Sequence, residues 1–429
     1  MRPKLAARAV VDALLAPPVN HPRTLTIPIQ QRAIKRHAFQ RAAFEAAFEQ
    51  KPRIISVVGT KGKGSVSELL RSALGPTVGC FTSPHLHGCR ERIRVGAEPI
   101  SVEALRRNGE KALDLARKLE ADEWGCVFFD RLLATALLHF GEEACDKLVL
   151  EAGVGGVHDS TNFFTEEELE LAVITSISLD HTALLGDTLT EIATNKAGVM
   201  RPKTKAVTPS TQPPEALAAL QSEADRVGAE LVVVDCSGHS GGEPSTKREN
   251  RLLAAKACSL LNVEADFSSS RWPARFEEIR VHGRLVIVDA AHNGDSVAKF
   301  LEAAHMKFPS TQFTVVFGCG AEKEGLEAMV DAVRPFESHV VCVEAGSSFA
   351  DRPLPPSKRG EPAQLLAARV GANAAVASSV AAALSNSAGP VLVCGSVYVA
   401  GEAREWCVAE DPSCLPADDW ARTLRDDML

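Results

Sequence analysis

Two lysines and a serine set among three closely spaced glycines carry the clearest chemistry in this chain of 429 residues. They form the string Gly59, Thr60, Lys61, Gly62, Lys63, Gly64, Ser65. Glycines let a backbone turn tightly and bring its N–H groups close to an anion. A lysine adds a full positive charge, and a hydroxyl can reach a magnesium ion on the phosphates. Before the string, Ile54, Ile55, Val57 and Val58 form a β-branched apolar run that reads as a buried parallel strand. After it, Ser65 opens helical spacing through Val66, Leu69, Leu70 and Ala73. Strand, glycine loop and helix together make the context of a phosphate-binding loop, and the helix N-terminus adds partial positive charge. The string differs from the standard form in placing Gly64 between lysine and hydroxyl, and a glycine-rich turn that binds nothing has the same composition. The motif implies a nucleoside triphosphate without saying what it is used for.

Other reactive side chains follow apolar runs. KLVLE ends in Glu151, and an acid at the tip of a buried parallel strand sits beside the phosphate loop of a doubly wound sheet. A magnesium ligand is needed there, although a strand-end glutamate can equally bind water or cap a helix. In FTSPHLHGCRERIRV, Ser83 and His85 flank Pro84 in an extended turn. Arg90, Arg92 and Arg94 then alternate as along a strand, either to clamp an anionic substrate or as a solvated edge with ordinary ion pairs. Asp180 and His181 follow a further apolar run, and Lys196 lies in a helical pattern beside Ala197 and Gly198. In VIVDAAHNGDS, Asp289 stands at a strand tip ahead of His292 and Asn293. A carboxylate there accepts from ribose hydroxyls, or is satisfied by solvent or backbone.

The elements that must position these groups alternate along the chain. Strands are expected at Ile54–Val58, Lys147–Glu151, Leu171–Ser176, Ala206–Thr208 and Leu231–Val234, with helices at Val102–Leu119 and Phe128–Phe140. The stretch Ser268–Ile279 breaks the pattern with a serine run and a proline, and carries Arg275 within reach of a phosphate held upstream. A fresh alternation follows: strands at Leu285–Val288, Thr314–Phe317, Val340–Val343 and Val391–Cys394, helices at Val297–His305, Leu326–Val333 and Pro362–Val370. The fold class is α/β. A phosphate-loop ATPase domain with a mainly parallel sheet spans 1–267, and a smaller Rossmann-like α/β domain spans 272–429. Surface loops are expected at Ser237–Pro244 and Ser347–Pro362.

Size and composition agree. The chain exceeds the roughly 250–300 residues at which single cores stop growing. Apolar content of 45% and charged content of 24% are ordinary for a globular protein. A net charge of −8 argues against a nucleic-acid partner, and no apolar run is long enough for a membrane. Eleven cysteines without a CxxC pair read as buried thiols in a reducing compartment, so a cytoplasmic location is expected. From Met1 to Phe44 the only acid is Asp12 among many basic residues. That bias suits import into a mitochondrion or other organelle, or a basic surface helix whose apolar face is Ile34, Phe39, Ala43 and Phe44.

Taken together, GTKGKGS, TSPH with RERIRV, EAGVGGVHDSTN, LDHTALLGDTLTEIATNKAGV, VDAAHN and CGSVYVAGEAR resemble the folylpolyglutamate synthase and dihydrofolate synthase family of the Mur ligase superfamily. The match runs from Lys51 to Ala403. Lys61 stands where bacterial bifunctional members usually have asparagine. Ala274 replaces a usual glycine, and Glu322-Lys323 replaces a frequent aspartate-lysine pair.

The resemblance implies ATP and magnesium, with a monovalent cation as a further option. It places Gly59 to Ser65 on the nucleotide, Asn250 on the adenine side, Arg275 on the phosphates and Asp289 on the ribose. Ser65, Ser83, Glu151 and His181 become magnesium ligands. Lys63, Lys196 and His181 become catalytic, with Lys196 carbamylated. His85, Arg92 and His292 become substrate contacts. The implied substrates are a folate or pteroate, L-glutamate and ATP, acting on a monomer. Three readings compete: a folylpolyglutamate synthase, a dihydrofolate synthase acting alone or bifunctionally, and a nucleotide-binding module without ligase activity.

Overall fold

The computed structural model describes residues 2–16, 28–238, 244–320, 325–346 and 360–423. Among these residues the first sheet contains β1 (Arg53–Val58), β2 (Gly79–Phe81), β3 (Ile93–Val95), β4 (Glu98–Pro99), β5 (Lys147–Glu151), β6 (Leu169–Ile174), β7 (Lys205–Pro209) and β8 (Glu230–Val234). Their order is β4-β3-β2-β5-β1-β6-β7-β8. Strand β1 lies between β5 and β6 and is parallel to both. Ile54 and Val58 enter one apolar cluster while Ile55 and Val57 enter another. Alternate side chains point to opposite faces and both faces are covered, so the strand reads as an unbroken apolar run.

Register then sets up the chemistry. Val57 of β1 is paired with Glu151 of β5, so the loop after β1 and the acid at the end of β5 emerge side by side at the carboxyl edge of the sheet. That edge is where ligands bind in open α/β sheets.

The second sheet contains β9 (Glu277–Val281), β10 (Arg284–Val288), β11 (Thr314–Phe317), β12 (Val340–Cys342), β13 (Ala375–Val376) and β14 (Val391–Cys394). Its order is β13-β12-β11-β14-β10-β9, with β9 antiparallel to β10 and the other pairs parallel. Ile287 faces one apolar cluster, Val286 and Val288 the other.

Several expectations need correction. The helix of the phosphate loop starts at Lys63, two residues early, because Gly62 takes the left-handed conformation that turns the chain into it. Arg90, Arg92 and Arg94 do not share a strand: Cys89–Arg92 is a turn of 3-10 helix and β3 begins at Ile93. The third expected strand lies at Leu169–Ile174, shifted back two residues. Glu277–Ile279, read as part of the break, opens β9. In the basic N-terminal stretch, Arg2–Leu15 and Ile29–Ala47 are helices. Val10, Val11, Leu14, Phe39, Ala43 and Phe44 pack in the first core, whereas Ile34 is exposed and does not belong to the buried face.

All eleven cysteines are free thiols and ten are buried. No helix among the described residues is long and apolar enough to cross a membrane. Glu322 and Lys323, most of the loop Ser347–Pro362 and the tip of the loop Ser237–Pro244 lie outside the described residues.

Candidate active site

A cleft of about 290 Å³ lies where the carboxyl edge of the first sheet meets the second domain. Its wall includes every residue from Gly59 to Ser65, with Ser83, Glu151, His181, Lys196, Asn250, Arg275, Asp289 and His292. The lining carries five cations (Lys61, Lys63, Lys247, Arg275, Lys299) and the amine of Lys196 against three acids (Glu151, Asp180, Asp289). That excess suits a polyanion, because charges converging in a walled cleft reinforce one another.

The loop is locked by its neighbours. Thr60 donates its N–H to Ser176 O at 2.9 Å and its hydroxyl to Ser178 O at 3.1 Å. Gly62 has φ +86°, and a Cβ there would lie 2.2 Å from Asn250 Oδ1. Asn250 therefore braces the turn. The additional glycine has its own reason: a Cβ on Gly64 would lie 2.6 Å from the Trp272 ring. The indole of the interdomain linker rests on the loop. Lys63 folds over its own turn, with Nζ 3.2 Å from Gly59 O and 3.4 Å from Thr60 O.

Glu151 is 2% exposed, and its Oε2 accepts the Ser83 N–H at 2.8 Å. Burial pushes its carboxyl up, opposed by Lys63, the Ser83 N–H, Arg275 and Arg92. A buried acid among cations, with the hydroxyls of Ser65 and Ser83 in the same wall, fits a hard divalent ion. Among the described residues no group of three or more His, Cys, Asp or Glu side chains is assembled for a metal. His181 is exposed at φ +52°, with Nε2 4.0 Å from Asp180 Oδ1.

Lys196 sits in the last turn of the helix Leu189–Ala197. It is 3% exposed, and its Nζ donates to Gly59 O at 2.8 Å. Burial first, then the charge of Lys63, lowers its pKa to about 7. A buried amine of that kind is about half neutral near pH 7, so a sizeable fraction carries the free lone pair needed to react.

Three of the expected residues already have protein partners. Lys61 lines the cleft and contacts Asp295 Oδ2 of the second domain across it. Burial and Lys299 bring its pKa down to about 8. His85 and Arg92 are absent from the cleft wall. Arg92 Nε donates to His85 Nδ1 at 2.9 Å, and its guanidinium lies 5.3 Å from the Phe128 ring centre. Arg94 is buried against Glu68. On the second domain, His292 Nδ1 donates to Ala290 O at 2.8 Å and Arg275 Nη1 to Ala274 O at 2.8 Å.

Asp289 lines the cleft but is already engaged. Its carboxylate accepts from Phe276 N at 2.7 Å and Ala291 N at 2.8 Å. Asp289→Ala is therefore expected to lower stability as well as nucleotide affinity, since each amide left without an acceptor costs roughly 1–3 kcal/mol. Thermal melting run beside calorimetry with a non-hydrolysable ATP analogue checks it; unchanged melting would show that the carboxylate does not brace the linker.

Sequence reasoning noted Asp180 without giving it a role and passed over Lys247 and Lys299. Lys247 precedes Asn250 by three residues in one helix, a spacing that puts both on one face and could have flagged it.

Residues 274–397 match the family described as Mur ligase, glutamate ligase domain, and with it the phosphate loop facing a second α/β domain is that of an ATP-dependent ligase of the Mur type. The dihydrofolate synthase/folylpolyglutamate synthase of Bacillus subtilis is 33% identical over 317 residues, covering 64% of this chain and 73% of the relative. The folylpolyglutamate synthase of Lacticaseibacillus casei is 29% identical over 403 residues, covering 83% of this chain and 90% of the relative. The chain belongs to the folylpolyglutamate synthase and dihydrofolate synthase family. Its fold is also that of the Mycobacterium tuberculosis folylpolyglutamate synthase complexed with ADP (TM-score 0.78, 22% identity, 95% of this chain and 98% of that one). The E. coli FolC in complex with DHPP and ADP gives a TM-score of 0.73 at 24% identity, over 94% of this chain and 98% of that one.

Proposed function

We propose that the protein joins L-glutamate to the carboxylate of a folate with ATP as the energy source, as a folylpolyglutamate synthase. The observation that carries this reading is the cation-rich cleft in which Lys63, Glu151 and Lys196 converge beside a phosphate loop. A folate carboxylate oxygen attacks the γ-phosphorus of ATP, the bond to the bridging oxygen breaks, and ADP leaves. The amine nitrogen of glutamate then attacks the acyl carbon, a tetrahedral intermediate forms, and phosphate departs as the nitrogen loses a proton. Two anions must meet in the first step, so positive charge has to be preorganised there. Lys63 and Arg275 supply it from the protein. Ser65, Ser83, Glu151 and His181 are the residues that would hold magnesium, which supplies further charge neutralisation when bound. Asn250 braces the loop on the adenine side, and His292 borders the cleft from the second domain. Closing the cleft keeps water from the acyl phosphate. We place the domain boundary within 268–271.

A second reading, addition of the first glutamate to dihydropteroate, is favoured by the Bacillus subtilis relative, which is named for both activities. One experiment separates them. Purified protein with ATP, magnesium and L-glutamate is offered tetrahydrofolate and dihydropteroate separately, and ADP release is followed. Release with tetrahydrofolate alone is expected; release with dihydropteroate alone identifies a dihydrofolate synthase, with both a bifunctional enzyme, and with neither overturns the ligase reading.

A further inference from the structure

We propose that Trp420 is a positioning residue for the phosphate loop, acting through Arg94 and Trp272 on Gly64; the inference rests on the reading of this cleft as the ATP site. Trp272 belongs to the linker, two residues from Ala274 and three from Arg275, and its ring occupies the space a Cβ on Gly64 would fill. The indole is therefore part of the surface that shapes the loop.

What holds the indole there is a buried cation. Arg94 is 1% exposed, and its guanidinium carbon lies 5.2 Å from the ring centre of Trp272 and 5.2 Å from that of Trp420. The two indoles stand edge to face, 6.5 Å apart at 88°. A planar guanidinium suits such a slot, because each ring face attracts it. Arg94 is fixed from the first domain by Glu68 at 2.5 Å, on the same helix as Gly64. Glu68 also takes Arg71 at 2.9 and 2.8 Å and the backbone N–H of Arg271 at 2.8 Å. Burial pushes the Glu68 carboxyl up, but these donors outweigh it and hold it ionised.

Trp420 is fixed from the other side. Asp418 takes the Arg271 guanidinium at 2.9 Å through both oxygens, and Asp419 takes the buried Arg404 at 2.8 Å. Arg404 also binds Glu277 at the start of β9 and His87 of the first domain. The C-terminal segment thus forms the far plate of a clamp whose near plate touches the phosphate loop. Without Trp420, one face of Arg94 opens to water and Trp272 loses its edge neighbour, so the indole is no longer pinned on Gly64. A loop that must present its N–H groups to phosphate in one geometry then loses preorganisation, though Trp420 touches no substrate.

The test uses the full chain. For Trp420→Ala, affinity for a non-hydrolysable ATP analogue and kcat are each expected to fall about tenfold, while KM for L-glutamate stays unchanged and Trp420→Phe, which keeps a ring face, restores both to within about twofold. A merely structural role would lower melting and the folded fraction, leaving the constants per folded molecule untouched. Constants within twofold of wild type in the folded alanine variant would overturn the proposal. Should that variant not fold, Trp420→Leu takes its place under the same criteria. Wild-type protein that fails to bind the analogue would overturn the ATP reading itself, an outcome distinct from wild-type binding matched by the variant.

Discussion

Lys63→Ala is expected to reduce glutamate-dependent ADP release by about 10²–10³-fold, with melting unchanged, the loss typical of one preorganised charge-assisted contact to a developing transition-state charge. The fold should tolerate the change because, among the described residues, the hydrogen bonds of Nζ go to the Gly59 and Thr60 carbonyls of its own turn. The effect should extend beyond the lost phosphate contact. Lys63 is among the charges that oppose the raised pKa of Glu151, and it helps lower that of Lys196. Removing it makes both groups more prone to hold a proton, which weakens Glu151 as a metal ligand. Wild-type turnover in a normally melting Lys63→Ala protein would contradict the assignment.

Lys196→Ala is expected to lose at least about a hundredfold in turnover, with partial recovery in acetate or propionate. We propose that Lys196 is carbamylated: its nitrogen adds to the carbon of CO2, loses a proton, and the side chain becomes anionic. A bare ammonium at this place would oppose a metal held by Glu151. The chemistry requires the free amine, and burial next to Lys63 provides it by bringing the pKa to about 7. The sign follows. Below pH 7 the ammonium form dominates, has no lone pair, and cannot add CO2, so bicarbonate should reactivate CO2-depleted enzyme progressively less as pH falls through about 7. Density at high resolution for an unmodified Lys196 pointing away from any bound metal would refute the assignment, as would wild-type turnover by Lys196→Ala.

Much of this was open to reading because buried parallel strands announce themselves. Ile54–Val58 and Lys147–Glu151 are apolar on both faces, and their tips deliver the phosphate loop and Glu151 to one edge. The RERIRV run misled because alternating arginines imitate a half-buried strand. What decides its structure is Glu91, whose carboxylate accepts from the N–H groups of Leu86, His87 and Gly88 at 2.8, 2.6 and 2.9 Å and so winds a turn ahead of β3. Its arginines then go to His85, to the carbonyl of Ile100 and to Glu68, none of which periodicity reveals. The roles of Gly64 and Lys61 were likewise illegible. Each depends on a partner far along the chain, Trp272 for one and Asp295 for the other, and contacts at that separation leave no local pattern. Asp289 was placed correctly at a strand tip, but its two amide donors could not be seen from composition.

The central claim is that ATP activates a substrate carboxylate as an acyl phosphate within this cleft. Oxygen-18 in that carboxylate tests it most directly. One carboxylate oxygen becomes the bridge to phosphorus and leaves with the phosphate when glutamate attacks. Incubation of the labelled folate or pteroate substrate with protein, ATP, magnesium and L-glutamate, followed by mass analysis of the released phosphate, should find one labelled oxygen per phosphate for each amide formed. Amide formation with unlabelled phosphate, the expelled carboxylate oxygen appearing in water instead, would contradict the account.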